Sequence, residues 1–328
     1  MSKILSIIIP SCNMEKYLGQ CLDSLLVPSV GDVEILVIND GSKDRTSEIA
    51  HEYSQRYPQS IRVIDKSNGH YGSCINRGLN EATGKYVKIL DADDSFDSEV
   101  FERFIEFLKD TDADLVLSNY CIVNENRVVT DFRSITGSKV PDKNYQFSET
   151  IDLLTSKFMA MHGVCYRRDM LLSLGYTQTE GVPYTDQEWI FEPMTKVKIV
   201  SVFPKYLYRY LVGREGQSIS GYSKPNAIAL QLNLIGKRVK IYNDVQGSIS
   251  NVQAKYLSMR LMCVLKNTYH TILLNNDLRE LLPNLSKLDA SVRQASLKLY
   301  QALGNVWLKP WLPIKYIKRW RKTSINKI

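Results

Sequence analysis

The sequence predicts an α/β protein: a mainly parallel sheet flanked by helices, followed by a helical C-terminal region. Three observations carry this. Short β-branched runs alternate with one-sided helical stripes through the first 120 residues. Polar residues and carboxylates follow directly on several of those runs. From Pro225 to about Ala302 the pattern turns helical, with stripes such as Leu257, Leu261, Val264 and Leu265. Strands separated by helices require crossover connections, and crossovers make parallel pairs.

The elements follow in order. Ser6-Ile7-Ile8-Ile9 reads as a buried strand stopped by Pro10. Tyr17, Leu18, Cys21, Leu22, Leu25 and Leu26 share one helical face. Glu34 to Ile38 is a second strand, ended by Asn39-Asp40-Gly41-Ser42, and a helix runs from about Asp44 to Arg56. Ile61 to Ile64 is a third strand, with a helix around Ser73 to Glu81 after a glycine-containing loop. Lys85 to Leu90 is a fourth strand, ending in Asp91-Ala92-Asp93-Asp94. Val100, Phe101, Phe104, Ile105 and Leu108 make the next one-sided helix, and Leu115 to Asn119 a fifth strand. From Tyr120 to Phe147 the pattern is polar and irregular, the mark of loops or a short β excursion. Ligands of an open parallel sheet sit beyond the carboxyl ends of its strands. Ser11 to Asn13, Asn39-Asp40 and Asp91 to Asp94 are therefore expected to converge on one crevice. The expected domains are 1–220, with halves 1–120 and 121–220, and a helical region 221–328 ending in a basic tail.

The chain has 328 residues, 44% hydrophobic and 23% charged, which excludes disorder and collagen-like repeats. Its apolar runs are far shorter than the roughly 20 residues a membrane-crossing helix needs. The first residues lack a secretory pattern. The six cysteines include no C-x-x-C pair, so neither a zinc site nor a disulfide framework is expected, and a reducing cytoplasm fits. Residues 305–328 hold seven Lys and Arg, no acid, and three of the four tryptophans. One reading is a tail lying on the anionic inner face of the cell membrane. The other is a basic helix packed on the body by its aromatics. Pro310 and Pro313 oppose one smooth helix. Nucleic acid is not expected as a partner, because no binding module accompanies the patch. The helical region offers surface for a homodimer.

Asp91-x-Asp93-Asp94 puts three carboxylates in one short turn. Hard oxygen ligands suit Mg²⁺ or Mn²⁺, which keep positions for substrate phosphates. The plainer reading is a solvated turn.

Four segments in order now carry a resemblance: Ser6-Ile7-Ile8-Ile9-Pro10-Ser11-Cys12-Asn13, Val37-Ile38-Asn39-Asp40-Gly41-Ser42-Lys43-Asp44, Asn68-Gly69 through Asn76-Arg77-Gly78-Leu79, and Ile89 to Asp94. Together they resemble the family-2 glycosyltransferases with a GT-A fold, strongly over about 120 residues and more loosely to about 220. The resemblance implies transfer of a sugar from a UDP-sugar to an acceptor hydroxyl, with inversion and a divalent metal. It implies that Pro10, Ser11 and Asn13 touch the nucleotide, that Asp40 reads the uracil edge, and that Asn76 belongs to the donor site. Asp91, Ala92 and Asp93 match the Asp-x-Asp segment, with Asp93 and Asp91 as metal ligands and Asp94 closing the turn or reaching the metal through water. Cys12 stands where the family often has Tyr, Asn39 where Asp is frequent, and Ile75 where Arg is common.

A sugar hydroxyl needs a base to take its proton. Pro183-Tyr184-Thr185-Asp186-Gln187-Glu188-Trp189 resembles the family's Glu-Asp motif, with Asp186 as base and Thr185 in place of Glu. Glu188 is its local rival, on a different helical face. The plainer reading is an N-cap for a helix over Trp189 to Met194. Tyr208 to Ser218 combines Arg209, Arg214, Ser218 and two glycines, a basic loop suited to a leaving diphosphate. His162 is an acceptor-side candidate; His70 and Tyr71 are similar cases.

The expected activity is that of a metal-dependent hexosyl- or N-acetylhexosaminyltransferase acting on a lipid-linked or other cell-surface glycan precursor. A protein or teichoic acid acceptor is the alternative. A nucleotidyltransferase would want a glycine- and Lys/Arg-rich phosphate loop near the first strand, which Pro10 to Gly19 lacks. A non-catalytic sugar-nucleotide scaffold would not need Asp186. A Rossmann dehydrogenase would need a G-x-G-x-x-G turn after the first strand.

Overall fold

The computed structural model describes residues 3–135, 144–147, 159–183, 185–214, 217, 225–306 and 315–325. The chain divides into two compact units, Met1–Gln217 and Ser218–Ile328.

The first unit is built on a ten-stranded sheet. Its strands are β1 (Leu5–Ser11), β2 (Val33–Asp40), β3 (Ile61–Lys66), β4 (Tyr86–Ile89), β5 (Ser95–Phe96), β6 (Leu115–Val123), β7 (Val129–Arg133), β8 (Asn144–Gln146), β9 (Val164–Arg167) and β10 (Ile199–Leu211). They run in the order β3-β2-β1-β4-β9-β6-β10-β5, with β7 on β6 and β8 on β10. β3, β2, β1 and β4 are mutually parallel, and so are β6 and β10. β9 runs against both β4 and β6, and β5, β7 and β8 are also antiparallel to their neighbours. The sheet is therefore mixed, though mostly parallel. Helices α1 (Leu18–Asp23), α2 (Thr46–Arg56), α3 (His70–Glu81), α4 (Ser98–Lys109), α5 (Arg168–Leu174) and α6 (Asp186–Trp189) connect the strands.

β1 and β2 are buried almost throughout, as their unbroken apolar runs require. Pro10 does not stop β1, which continues to Ser11. The pairing with β4 ends at Ile8 opposite Ile89, so at Pro10 only β2 remains alongside. A residue without an N–H is tolerated at such an edge. β6 likewise outruns its expected end at Asn119, because Tyr120 to Val123 pair with β7 and β10. The irregular stretch after it is the β excursion: the β6–β7 hairpin and then β8. The helix expected over Trp189 to Met194 is instead the four-residue α6, followed by a 3₁₀ turn at Pro193–Thr195.

The second unit is helical: α7 (Pro225–Val245), α8 (Asn251–Leu274), α9 (Leu282–Ala295), α10 (Leu297–Gly304) and α11 (Tyr316–Ile325). Ser250 and Gln253 form a reciprocal capping box at the start of α8. Leu257, Leu261 and Leu265 form part of the buried core. α11 buries Tyr316, Ile317 and Arg321 within this unit, and Arg321 pairs with Asp289 at 2.6 Å. Lys318, Arg319 and Lys322 stay exposed. Trp307, Pro310, Trp311 and Pro313 lie outside the described residues. Among the described residues no helix is long and apolar enough to cross a membrane.

Candidate active site

The parallel strands deliver their carboxyl ends to one edge of the sheet. β10 shares the direction of β6, so its far end arrives at that edge too. There Tyr208 donates its hydroxyl to Asp94, and the backbone N–H of Leu211 donates to the other oxygen of Asp94 at 2.7 Å. Arg214 pairs with Asp93, and its guanidinium lies 5.4 Å from the centre of the Tyr17 ring. The turn after β4 is thus tied to a segment more than a hundred residues away.

Asp94 is fully buried and Ala92 nearly so, whereas Asp91 keeps partial exposure. Desolvation, then repulsion from Asp93, pushes the Asp91 carboxyl up to about 7. The same two causes, with Asp91 added, drive Asp94 well above the usual carboxylate range. Tyr71 donates to Oδ1 of Asp91 at 3.0 Å. His162 is buried, its ring stacked on Tyr210 at 4.4 Å and 4.6 Å from Tyr208. Burial, then the nearby Lys88 ammonium, holds the imidazole down to about 3, so it is neutral.

Lys88, in the middle of β4, is wholly buried and donates to the carbonyls of His162 and Val164 at 2.7 and 3.1 Å. Desolvation lowers it to about 8. A lysine inside the apolar run Tyr86-Val87-Lys88-Ile89 is the sequence signal for this residue.

Asp91, Asp94 and His162 each offer a ligand atom within 4.8 Å of the others. Among the described residues Oδ2 of Asp91 accepts no hydrogen bond, and the buried Nδ1 of His162 has no hydrogen-bond partner. A carboxylate oxygen beside a neutral imidazole suits a divalent cation, so Asp91 and His162 fit the expected metal, whereas both oxygens of Asp94 already accept hydrogen bonds. Asp93, the other expected ligand, carries the Arg214 ion pair.

Asp186 belongs to the same neighbourhood. It acts electrostatically on Asp91, Tyr71 and Tyr210, and accepts a hydrogen bond from Gln187 at 3.1 Å. The residues around it are structural. Glu188 is buried and accepts from the N–H and hydroxyl of Thr179 at 2.7 and 2.8 Å. Thr185 accepts from the Gln178 amide at 2.9 Å. Asn76 is spent on the same segment: its amide donates to Gln178 O and Glu180, and its oxygen accepts the Gln178 N–H. The structure therefore turns Asn76 and Glu188 toward residues 178–180 and not toward the acidic turn.

At the ends of β1 and β2 the arrangement is also specific. Asp40 is buried, and its Oδ1 takes both Lys66 and the Gly69 N–H. Its Oδ2 accepts from none of the described residues. Asn13 sits at φ 55°, a conformation its short amide tolerates. Its amide oxygen accepts the Lys43 N–H at 2.8 Å and its N–H donates to Ser42 at 3.0 Å, clamping the β1 loop to the β2 loop. The hydroxyl of buried Ser11 turns back to Ile9 O at 3.3 Å; Pro10, half-buried, precedes it in β1. Arg209 alternates with Tyr208 and Tyr210 along β10 and pairs with Asp97 at 2.6 Å. It lines a separate cavity of about 280 Å³ with Arg127 and Phe96. Ser218 lies outside the described residues.

The chain is 40% identical over 116 residues to the uncharacterized glycosyltransferase EpsJ of Bacillus subtilis, covering 35% of this chain and 33% of that one. It is 28% identical over 276 residues to the poly(ribitol-phosphate) beta-glucosyltransferase of Bacillus spizizenii, covering 81% of this chain and 40% of that enzyme. The chain thus spans well under half the length of either. Among solved structures it is similar to S. aureus TarS 1-349 in complex with UDP-GlcNAc, with TM-score 0.63, 20% identity and 91% of each chain covered. It is also similar to the mannosyltransferase PcManGT of Pyrobaculum calidifontis in complex with GDP-Man and Mn²⁺, with TM-score 0.52 and 15% identity over 92% of this chain and 79% of that one. The glycosyl transferase family 2 model matches residues 6–174. With that match spanning more than half the chain, and β1, β2 and β4 delivering its motifs to one edge, the chain belongs to glycosyl transferase family 2.

Proposed function

We propose that this glycosyltransferase moves a sugar from a UDP-sugar to an acceptor hydroxyl with inversion. The observation that supports this reading best is the convergence of Asp91 and Asp93, Asp186 and Arg214 at the carboxyl edge of the sheet. Asp40 closes β2, and its Oδ2, which accepts from none of the described residues, suits the N–H on a uracil edge, while Lys66 and Gly69 hold the other oxygen. Pro10, Ser11 and Asn13 form the adjoining rim.

Mn²⁺ or Mg²⁺ held by Asp91 and Asp93 would neutralise charge on the departing UDP. Asp94 is less suited to direct ligation, since Tyr208 and the Leu211 N–H each occupy one of its oxygens. Arg214 adds a positive charge on the same side, where diphosphate charge develops. Asp186 accepts the proton of the attacking hydroxyl as the new glycosidic bond forms. Partial burial among Tyr71, Tyr210 and Asp91 shields it from bulk water.

The proposed acceptor is a lipid-linked or other cell-surface glycan precursor, met at the inner face of the membrane. Exposed Lys318, Arg319 and Lys322 support that location. A phosphate-rich teichoic acid is the second reading, favoured by the poly(ribitol-phosphate) glucosyltransferase aligned over 81% of the chain. The test is UDP release from a panel of UDP-sugars, with and without EDTA. One donor should give EDTA-sensitive turnover. Asp186→Asn should keep donor binding and lose transfer by about 100-fold or more. Turnover retained in that variant contradicts the assignment.

A further inference from the structure

Tyr71 takes no chemical step in the reaction above, yet its hydroxyl enters the acidic turn. It lies in the first turn of α3, directly after His70, whose φ of 64° is rare for a residue with a β-carbon. Directly after it, Gly72 sits so close to Thr179 that a Cβ would come within 2.0 Å of the Thr179 carbonyl oxygen. The start of α3 is therefore held from both sides. From there the Tyr71 hydroxyl reaches Oδ1 of Asp91 at 3.0 Å and lies 3.3 Å from the Met161 sulfur. Among the described residues this is the hydrogen bond that the Asp91 carboxylate receives. The phenol is a neutral donor, so the hydrogen bond brings no added charge to the acidic turn.

We propose that Tyr71 is a positioning residue for the cation site: it fixes the orientation of the Asp91 carboxylate and leaves Oδ2 for the divalent ion. This rests on the reading that Asp91 holds that ion. Groups that orient metal ligands typically govern affinity by about 10- to 100-fold. A tyrosine that only packs against Met161 would leave affinity unchanged when its hydroxyl is removed.

The test uses the full chain and its Tyr71→Phe, Asp91→Asn and doubly substituted forms. Mn²⁺ binding is followed by the loss of the free-ion electron paramagnetic resonance signal, with UDP present. Tyr71→Phe should raise the Mn²⁺ dissociation constant about 10-fold. Its metal-free melting temperature should stay near that of the parent. The double variant should bind no more weakly than Asp91→Asn alone, because the hydroxyl acts through that carboxylate. Unchanged Mn²⁺ affinity in Tyr71→Phe, with Asp91→Asn impaired, overturns the positioning role and leaves the cation site standing. Additive losses in the double variant also overturn it. Normal binding in both single variants overturns the cation site itself.

Discussion

At Asp91 and Asp94 the cost of crowding acids is visible. Both carboxyls are raised by burial, then by neighbouring carboxylates. A carboxyl that titrates higher in the folded chain than in the unfolded one stabilises the fold at low pH. That contribution is lost as pH rises through the folded value, about 7 for Asp91. A bound cation reverses the trend, because it prefers the ionised acids. The rise in melting temperature caused by Mn²⁺ should therefore be larger at pH 8 than at pH 6. Differential scanning fluorimetry with and without Mn²⁺ checks this; an equal rise at both values would mean the acids do not bind the ion. Asp186 and Glu188 separate function from support. Glu188→Ala removes the two hydrogen bonds that half-buried Thr179 gives the buried Glu188 carboxylate and should cost about 1–3 kcal/mol in urea unfolding. Asp186→Ala, at a half-exposed site, should leave stability within about 0.5 kcal/mol while abolishing transfer.

At the scale of elements, what the sequence revealed depended on range. Strand ends were legible because a buried strand is an apolar run closed by polar residues, as Ile89 to Asp94 shows. The grouping of Asp40 with Asp91 followed from parallel topology alone. The tasks of Asn76, Thr185 and Glu188 were not legible. Their hydrogen bonds converge on residues 178–180, and the Asn76 bond to Gln178 closes 102 residues of chain. Local patterns carry no record of such pairings. β9 escaped notice for the same reason, since four residues inserted antiparallel between β4 and β6 have no distinctive period. Arg209 is close in sequence to the expected diphosphate loop, yet strand alternation turns it to Asp97. The contact between α3 and residues 178–180 gives its own prediction. Gly72→Ala forces a Cβ onto the Thr179 carbonyl and should cost about 1–3 kcal/mol. Gly236→Ala, inside α7 with nothing within 4 Å of the added carbon, should instead stabilise by up to about 1 kcal/mol. Urea unfolding of the two variants compares them directly.

Over the whole molecule, charge is divided between the units. Residues 1–217 carry 24 Lys and Arg against 31 Asp and Glu, while residues 218–328 carry 18 against 4. The basic character is a property of the whole helical unit, and Arg321 is withdrawn from the tail's surface by Asp289. An anionic surface is the expected partner of such a unit. Binding to vesicles rich in anionic lipid should fall with rising salt, and should weaken when Lys318, Arg319 and Lys322 are changed together to Glu. Equal binding to neutral vesicles would argue against an electrostatic attachment. The central claim, however, concerns the first unit: acids beyond β4 hold a divalent ion beneath the leaving nucleotide. Anomalous diffraction from a crystal soaked with UDP and Mn²⁺ tests it most directly. A manganese peak on the Asp91 and Asp93 carboxylates, with the diphosphate against it, is the predicted result. UDP bound there with no manganese peak on those side chains would contradict the account.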